Sequence, residues 1–465
     1  MHSDIFIPYG WASVKLSDLG EVNRGRSRHR PRYAEHLYGG PYPFVQTGDI
    51  KASGGRITCY SQTYSEDGLK QSRLWPEGTL CITIAANIAE TSILTFPACF
   101  PDSVIGFIAD PEKCNVHFIE YCFRILRKDI QRQATGSVQD NINLQTLERL
   151  RFPIPTLPEQ QKIAGILCRL DEKITLNTQI NQTLEQMAQA LFKSWFVDFD
   201  PVIDNALGAG NPIPEPLAER AARRQAMWAA DNEAAPARLP AETLRLFPDR
   251  FEEDEVLGWV PESWAVQSLD QIARYQNGLA LQKFRPNEGE DFLPVLKIAQ
   301  LRARKADGVE KASVNIKPEC IVHNGDVVFS WSGTLMIDIW SGGKAALNQH
   351  LFKVTSEKYP KWFYFLWTQR HLEIFQRIAA DKAVTMGHIK RQHLTEAFCL
   401  VPEAKLIDKA GELIKPLVEK MLSSRLESEE LTQLRDTLLP KLLSGELQPP
   451  NIEAAVDKVL EAELA

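Results

Sequence analysis

The chain has 465 residues, a net charge of −7 and 44% hydrophobic residues. This length predicts two to four domains, and the hydrophobic content is typical of globular ones. The start of the chain lacks the basic segment and apolar core of a signal peptide, and no apolar run is long enough to cross a bilayer, so we predict a cytoplasmic protein. The 8 cysteines form no C-x-x-C pair, which favours reduced thiols and predicts no metal site.

The acidic charge is confined to particular segments of the chain. Residues 1–157 carry a net charge of +1 and residues 259–402 carry +4, whereas residues 158–258 carry −7 and residues 403–465 carry −5. The acidic pI of the whole chain therefore does not exclude binding of a polyanion by residues 1–157 and 259–402, whose net charge is neutral to basic.

Residues 1–157 and 259–402 read as two copies of one domain. Each copy opens with a Trp that is followed five residues later by a Leu, and each has a Gly before an apolar strand, the two glycines lying 247 positions apart. These shared landmarks are Trp11 and Leu16, Trp264 and Leu269, Gly78 and Gly325.

Between the landmarks, short apolar runs broken by Gly, Pro, Asn and Asp predict an α+β domain. We predict strand-like runs at 43–50 and 292–301, and helices near 116–131 and 360–378. The loops of the two copies share little sequence. A shared framework with divergent loops is typical of two binding modules that recognise different targets.

We predict one long helix at residues 158–199 and another at residues 403–448. Apolar residues recur at the alternating spacing of three and four that is typical of a coiled-coil seam, and the polar gaps Asn177 and Asn181 fall on Ser424 and Ser428 when 247 is added. We predict that the two helices pair and act as a spacer, the alternative being two unrelated core helices. The predicted seam comprises Leu167, Leu170, Ile174, Asn177, Asn181, Leu184, Leu191, Ile414, Leu417, Met421, Ser424, Ser428, Leu431 and Leu438.

Residues 200–258 form a connector rich in Pro and Ala. It contains one amphipathic helix at 215–230, followed by the run LFPDRFEEDEVLGWVPESW, whose aromatic residues predict docking onto another surface. We predict that residues 449–465 form a short acidic, partly helical tail.

Four runs give the chain a resemblance to the specificity subunits of Type I restriction-modification systems. They are P-x-P-x-L-P-E-Q-Q-K-I-A (Pro153 to Ala164), L-F-K-S-W-F-V-D-F-D-P (Leu191 to Pro201), F-P-D-x-F with L-G-W-V-P-E-S-W (Phe247 to Trp264), and L-L-P-K-L-L-S-G-E-L (Leu438 to Leu447). The resemblance covers nearly the whole chain. It implies that residues 1–157 and 259–402 are target recognition domains, each reading one half of a split DNA sequence, and that the paired helices run antiparallel and set the spacing.

The resemblance also implies the partners and cofactors. Two methyltransferase subunits would dock on the connector and helices, and two motor-nuclease restriction subunits could join them. S-adenosylmethionine would be bound by the methyltransferase, and ATP and Mg by the restriction subunit, with no cofactor bound by this chain.

The sequence contains no convincing catalytic motif of its own. The adenine methyltransferase motif [DN]-P-P-[YF] is approached only by Asp200 to Ile203, which lacks the second Pro and the aromatic residue. No G-x-G-x-x-G follows a strand, and the run Gly342 to Ala345 lacks the first Gly and the Ser or Thr of a phosphate loop. We therefore predict a non-catalytic subunit.

Residue chemistry provides candidate DNA contacts. Five arginines lie within nine residues at 24–32, and Arg suits bidentate contact with guanine or phosphate, although a solvated basic loop is the plainer interpretation. Asn and Gln can read adenine through paired hydrogen bonds, although most are ordinary surface amides. The candidates are Arg24, Arg26, Arg28, Arg30, Arg32, Lys51 and Arg56 in the first domain, and Asn277, Gln282, Lys283, Arg285, Arg302, Arg304, Lys305 and Lys344 in the second.

Two other functions are compatible with the same sequence. One is a coiled-coil scaffold for protein interaction without DNA specificity, which would tolerate neutralisation of the arginine loop. The other is a self-sufficient DNA-modifying enzyme, which would transfer methyl groups without partners.

Overall fold

The computed structural model describes residues 7–29, 31–85, 87–135, 144–229, 239–381 and 387–461. The chain divides into two compact units. Unit 1 comprises residues 1–175 and 429–465, and unit 2 comprises residues 176–428.

The first part of the chain contains nine strands and five α-helices among the described residues. The strands are β1 (Ala12–Val14), β2 (Gly20–Arg24), β3 (Tyr38–Phe44), β4 (Arg56–Ile57), β5 (Gln62–Tyr64), β6 (Leu80–Thr83), β7 (Thr91–Leu94), β8 (Val104–Ala109) and β9 (Phe152–Ile154). The helices are α1 (Thr47–Ala52), α2 (Glu66–Lys70), α3 (Val116–Thr135), α4 (Leu144–Arg149) and the long α5 (Leu157–Phe196).

The rest of the chain begins with the connector, continues with the second domain and ends with the second long helix. Its helices are α6 (Asp200–Ala209), α7 (Ala218–Ala229), α8 (Ala241–Leu244), α9 (Leu269–Ile272), α10 (Ile298–Ala303), α11 (Lys361–Asp381), α12 (Arg391–Thr395), α13 (Ala404–Leu443) and α14 (Pro449–Glu461). Its strands are β10 (Phe251–Asp254), β11 (Gly258–Pro261), β12 (Ala265–Ser268), β13 (Arg274–Asn277), β14 (Phe292–Leu296), β15 (Lys311–Ser313), β16 (Ile321–Val322), β17 (Val327–Ser330), β18 (Met336–Ile339), β19 (Ala345–Leu347), β20 (Leu351–Thr355) and β21 (Phe398–Val401).

The predicted repeat is confirmed by the strand pairing. The first domain has a central sheet of order β2-β8-β6-β7-β4, and the second has the antiparallel order β13-β20-β17-β18. In both domains the first and last strands pair, β1 with β9 and β12 with β21. Gly78 and Gly325 have φ of 82° and 90°, a backbone conformation that glycine adopts most easily, and each precedes a buried strand.

A second sheet in domain 2 is present in reduced form in domain 1. In domain 2, β19 pairs in parallel with β14 and antiparallel with β16. In domain 1, isolated bridges join Cys99 in parallel to Phe44 and Ala98 antiparallel to Trp75. Ala98 and Ala345 are 247 positions apart, the interval that also separates the two landmark glycines.

The strands predicted at 43–50 and 292–301 are confirmed only for the first part of each run. In each run the strand ends early, at Phe44 or Leu296, and a helix follows, α1 or α10. At α1 the backbone N–H of Gln46 donates to Asp49 Oδ2 at 2.8 Å, which caps the helix start. The helices near 116–131 and 360–378 are confirmed as α3 and α11.

The long helices α5 and α13 have 40 residues each, so each is about 60 Å long at 1.5 Å per residue. In unit 1, Asp171 of α5 pairs with Arg435 of α13, and in unit 2, Asn177 pairs with Glu427. Residue numbers rise along one helix as they fall along the other, so the helices are antiparallel. All fourteen seam positions named above are buried or half-buried.

A polar layer interrupts this seam in unit 2. Asn177 is 2% exposed, and its Nδ2 donates to Glu427 Oε2 at 2.8 Å. Asn181 Oδ1 and Ser424 Oγ are buried without a hydrogen-bond partner among the described residues. A buried acceptor that loses its hydrogen bond to water costs about 1–3 kcal/mol, so this layer reduces stability while it disfavours other registers.

We expect Asn181→Leu to raise the free energy of unfolding by about 1 kcal/mol, because it removes the unpaired amide oxygen. Asn177→Leu is the matched control and should gain less, since it also removes the hydrogen bond to Glu427. Denaturant titration of both variants measures the difference. A larger gain from Asn177→Leu would contradict this account of the layer.

The connector docks onto the core of unit 2. Phe247, Val260 and Trp264 are buried in the same apolar cluster as Phe196 and Phe199. Docking of the aromatic run is therefore confirmed, and the surface that it covers includes the end of α5, where the rings of Phe247 and Trp195 lie 5.1 Å apart.

The connector's Asp200, which begins the weak methyltransferase-like run, has a structural role. It is 6% exposed, forms a two-bond pair with Arg220 at 2.6 and 2.9 Å, and accepts from Ser194 Oγ at 2.7 Å. Burial would raise the pKa of the Asp200 carboxyl, but the hydrogen bonds from Arg220 and Ser194 and the charge of Arg224 hold it below its ordinary value.

The prediction of a partly helical tail is confirmed. Residues 449–461 form α14, in which Val456 is 2% exposed within the core of unit 1. Asp457 of this helix forms an ion pair with Arg169 of α5. One carboxylate of the acidic tail is therefore an ion-pair partner of the long helix α5.

Candidate nucleic-acid interface

The loops of each domain converge where the central strands end. In domain 1, Arg24 at the end of β2 and Thr83 at the end of β6 flank the start of β8. We call this end of the sheet rim 1. In domain 2, Asn277 at the end of β13 and Ser330 at the end of β17 flank the start of β20 in the same way. We call this end rim 2.

The arginine-rich loop leaves β2 at rim 1. Arg24 donates through Nε to the backbone oxygen of Asp102, and Arg32 Nη2 pairs with both carboxylate oxygens of Asp102 at 2.9 and 3.0 Å. Arg26 and Arg28 are exposed, and neither guanidinium forms an ion pair within the described ranges. Arg30 lies outside the described residues. The structure therefore separates two restrained arginines from two that face solvent.

Lys51 and Arg56 have different positions. Lys51 is exposed in the last turn of α1, and its Nζ donates at 3.1 Å to Asn87 in the loop that leaves β6 at rim 1. Arg56 turns toward the interior, where it lies 3.9 Å from the fully buried Glu120 and contacts Cys168 Sγ at 3.4 Å. The structure groups Lys51 with the rim and gives Arg56 structural partners.

The candidates in domain 2 fall into two groups. Gln282, Lys283 and Arg285 are exposed on the loop that follows Asn277 at rim 2. A backbone hydrogen bond of 2.9 Å from Gln349 to Leu279 holds this loop beside the strand β20. These residues are therefore close to one another and to the rim.

The second group comprises Arg302, Arg304, Lys305 and Lys344. The first three come at the end of α10 and not after a strand, and Arg304 has a φ of 54° and donates through Nε to Asp338 Oδ2 at 2.7 Å. Asp338 is near the end of β18, which is the opposite end of the sheet from rim 2. Lys344 is exposed in the adjacent loop. This group is therefore not at rim 2.

Sequence reasoning missed three residues at rim 2: Ser332, Gln349 and His350. Ser332 Oγ lies 2.8 Å from His350 Nδ1, and the Gln349 amide nitrogen lies 3.3 Å from His350 Nε2. The available signal was the polar run Asn348-Gln349-His350 between two apolar strands.

A chain of buried charges holds domain 1 on the helix pair within unit 1. Arg124 of α3 pairs with Glu120 at 2.7 Å and with Asp171 of α5 at 3.0 Å, and Asp171 also pairs with Arg435 of α13 at 2.7 Å. Burial would raise the pKa of Asp171, but Arg124 and Arg435 hold it below its ordinary value. Burial raises the pKa of Glu120, which is 0% exposed.

Domain 2 has an equivalent connection within unit 2. Arg425 of α13 is 8% exposed and donates through Nη1 to Asp338 Oδ1 at 2.7 Å and to the backbone oxygen of Ile339 at 3.1 Å. Asp338 therefore accepts hydrogen bonds from both Arg425 and Arg304. Because Leu422 also lies beside Gly325, the end of the sheet opposite rim 2 faces α13.

Two features of the described residues concern membranes and metal ions. Within the described ranges, no helix is both long and apolar enough to span a membrane. The same ranges contain no group of three or more His, Cys, Asp or Glu side chains placed to hold a metal ion.

Comparison with known proteins identifies the family. The profile of the Type I restriction modification DNA specificity domain matches residues 8–186 and 261–396. The HindI specificity subunit of Haemophilus influenzae is 29% identical over 368 residues, which cover 73% of this chain and 80% of that protein. The MjaIX specificity subunit of Methanocaldococcus jannaschii is 22% identical over 458 residues, covering 95% and 94%.

A solved structure shows the same fold. The S subunit of a Type-I restriction-modification system from M. genitalium matches with a TM-score of 0.54 at 15% identity, covering 95% of this chain and 98% of that one. Since the family profile matches more than half of the chain, in both repeated domains, this protein belongs to the family of Type I restriction-modification DNA specificity subunits.

Proposed function

We propose that this chain is the subunit that selects the DNA target of a Type I restriction-modification system, with each domain reading one half of a split sequence. The observation that carries the proposal is the repeat. Two copies of one sheet present different side chains at equivalent rims, arginines at rim 1 and mostly amides and imidazole at rim 2. Two sheets of the same architecture that present different hydrogen-bonding side chains are suited to two different half-sites.

The two long helices would set the number of unspecified base pairs between the half-sites. Each helix is continuous over 40 residues, and each contributes residues to both units. A paired helix is stiff over this length, and its rise per residue is fixed at about 1.5 Å. Helix length is therefore a means of setting a DNA spacing.

The chain would work with DNA and with other subunits of the restriction-modification system. We propose two methyltransferase subunits, which bind S-adenosylmethionine, and restriction subunits, which use ATP and Mg, with this chain in the cytoplasm and without catalysis of its own. The hairpin β10–β11 supports a docking role for the connector, because its tip exposes Val256, Leu257 and Trp259. The adjacent carboxylates of residues 252–255 would repel DNA phosphates, which favours a protein partner there.

Mapping of adenine methylation at base resolution tests this function. Cells with and without the gene are compared while its methyltransferase partner is present in both. Loss of one split motif on deletion is the expected result. An unchanged methylome, together with no specific DNA binding by the co-purified complex, would reject the proposal and favour the scaffold alternative.

We expect the double substitution of Arg26 and Arg28 by Ala to weaken DNA binding and to reduce its dependence on salt. If each side chain neutralises one phosphate, the slope of log K against log salt falls by about 1.8. Binding of the co-purified complex is measured over a series of salt concentrations. Exposed Lys128 and Lys162 of α3 and α5, both replaced by Ala, give a control with the same loss of charge. Equal slopes for the two double variants would remove the loop from the interface.

A further inference from the structure

Rim 2 contains an ordered cluster of polar side chains. Ser332 and Trp331 follow β17, and Gln349 and His350 precede β20. Ser332 is 3% exposed, whereas Gln349 and His350 are half-buried. The cluster lies at the end of the sheet that faces away from α13, beside the exposed loop of Gln282 to Arg285.

The hydrogen bonds of this cluster fix the orientation of one amide. The Gln349 amide nitrogen, which can only donate, lies 3.3 Å from His350 Nε2, so that Nε2 accepts. His350 Nδ1 then carries the proton and donates to Ser332 Oγ at 2.8 Å. The second N–H of Gln349 and its Oε1 have no hydrogen-bond partner among the described residues.

The backbone of Gln349 is also held in place. Its carbonyl oxygen accepts from Trp331 Nε1 at 3.1 Å, and its N–H donates to the Leu279 oxygen at 2.9 Å. The Trp331 ring packs at 5.9 Å from Phe352, which fixes the indole against the sheet. An amide held at both its backbone and its nitrogen loses little conformational freedom when it binds a base.

We propose that Gln349 reads an adenine of the half-site recognised by domain 2, with His350 and Ser332 as positioning residues. Adenine presents N7 as an acceptor and the N6 amino group as a donor in the major groove, and Gln satisfies both. The remaining N–H of Gln349 matches N7, and its Oε1 matches N6. The loop of Gln282, Lys283 and Arg285 next to the cluster is suited to phosphate contacts, which set position but carry no sequence information.

This inference rests on the proposed function, and the test separates the two. The co-purified complex is used to select bound sequences from a DNA pool, with wild type, Gln349→Ala, Gln349→Glu and Gln282→Ala compared. The wild type should yield a bipartite motif with an adenine in one half. Gln349→Ala should lose discrimination at that single position, by roughly 5- to 150-fold, while the other half-site is unchanged. Gln349→Glu should shift the preference toward cytosine, whose amino group a carboxylate accepts.

The positioning role has its own readout. Ser332→Ala should reduce discrimination at the same base without changing the salt dependence of binding, and Ser332→Thr should restore it because a hydroxyl is again present. Folding loss does not imitate this result, since discrimination is a ratio measured on the bound protein. An unchanged base preference in Gln349→Ala, or the same loss in Gln282→Ala, would overturn the inference. A wild-type complex that selects no bipartite motif would reject the proposed function instead.

Discussion

Replacement of Asp171 by alanine is expected to lower the free energy of unfolding by about 3–5 kcal/mol. Asp171 accepts from Tyr121 at 2.7 Å and pairs with Arg124 and Arg435, whose side chains are only 16% and 18% exposed. Without the carboxylate, two guanidinium groups stay largely buried with less compensation. The loss should appear in denaturant unfolding of the whole chain, followed by a probe in unit 1.

Asp436→Ala is the matched control. Asp436 also pairs with Arg435, at 2.7 Å, but its side chain is 59% exposed, so solvent screens the interaction. We expect a loss of at most about 1 kcal/mol. A cost for Asp171→Ala as small as that of the control would show that the buried charge chain contributes little to the stability of the domain.

The same charge chain predicts a dependence on pH with opposite signs at its two carboxyl groups. The pKa of Asp171 is lowered, so its contribution is present above about pH 4, the unfolded value, and is lost as the pH falls through the folded pKa. The pKa of Glu120 is raised by burial, so its carboxyl ionises at a higher pH in the folded state than in the unfolded state. Its contribution to the free energy of unfolding therefore decreases as the pH rises between those two pKa values. Unfolding free energies measured from pH 3 to pH 7 should therefore rise less steeply in Asp171→Ala than in the wild type.

The architecture was predictable because it follows from regular spacings of residues along the sequence. The seam of α5 and α13 follows from spacing within one helix, and the repeat follows from landmarks at a constant interval of 247 residues. The failures at 43–50 and 292–301 have a local cause too. A helical turn begins inside each β-like run, capped by Asp49 at α1, and apolar residues such as Val45 and Ile50 fit either structure.

The site was less predictable because tertiary pairing decides which cations are available. Arg26 and Arg56 are alike in sequence terms, but Arg56 faces Glu120, 64 positions away, whereas Arg26 faces solvent. Arg304 meets Asp338 through a contact that no periodicity reveals. The polar cluster at rim 2 joins Ser332, in the loop after β17, to His350, in the loop before β20, 18 positions away. Residue type and charge therefore supplied candidate contacts, but they did not show which of these side chains have partners within the protein.

Insertion of seven residues into each long helix is expected to lengthen the preferred spacer between unchanged half-sites. The insertions belong between Thr175 and Leu176 in α5 and between Ser428 and Glu429 in α13, where the chain passes from one unit to the other. Contacts within each unit are then preserved, and a heptad keeps the apolar seam in phase to within about 20°. The added length of about 10.5 Å corresponds to about three base pairs.

The rotation of the DNA limits the affinity of the lengthened protein. Three base pairs turn the second half-site by about 100° about the DNA axis, whereas the heptad turns its domain by only about 20°, so the protein or the DNA must twist to restore both contacts. We therefore expect a longer spacer together with weaker binding, both measured by selection from DNA pools with variable spacing. An insertion in α5 alone is the control, because it leaves the two helices unequal and should destabilise the seam without defining a new spacer. Altered half-sites, or an unchanged spacer in a stably folded double insertion, would show that the helices do not set the spacing.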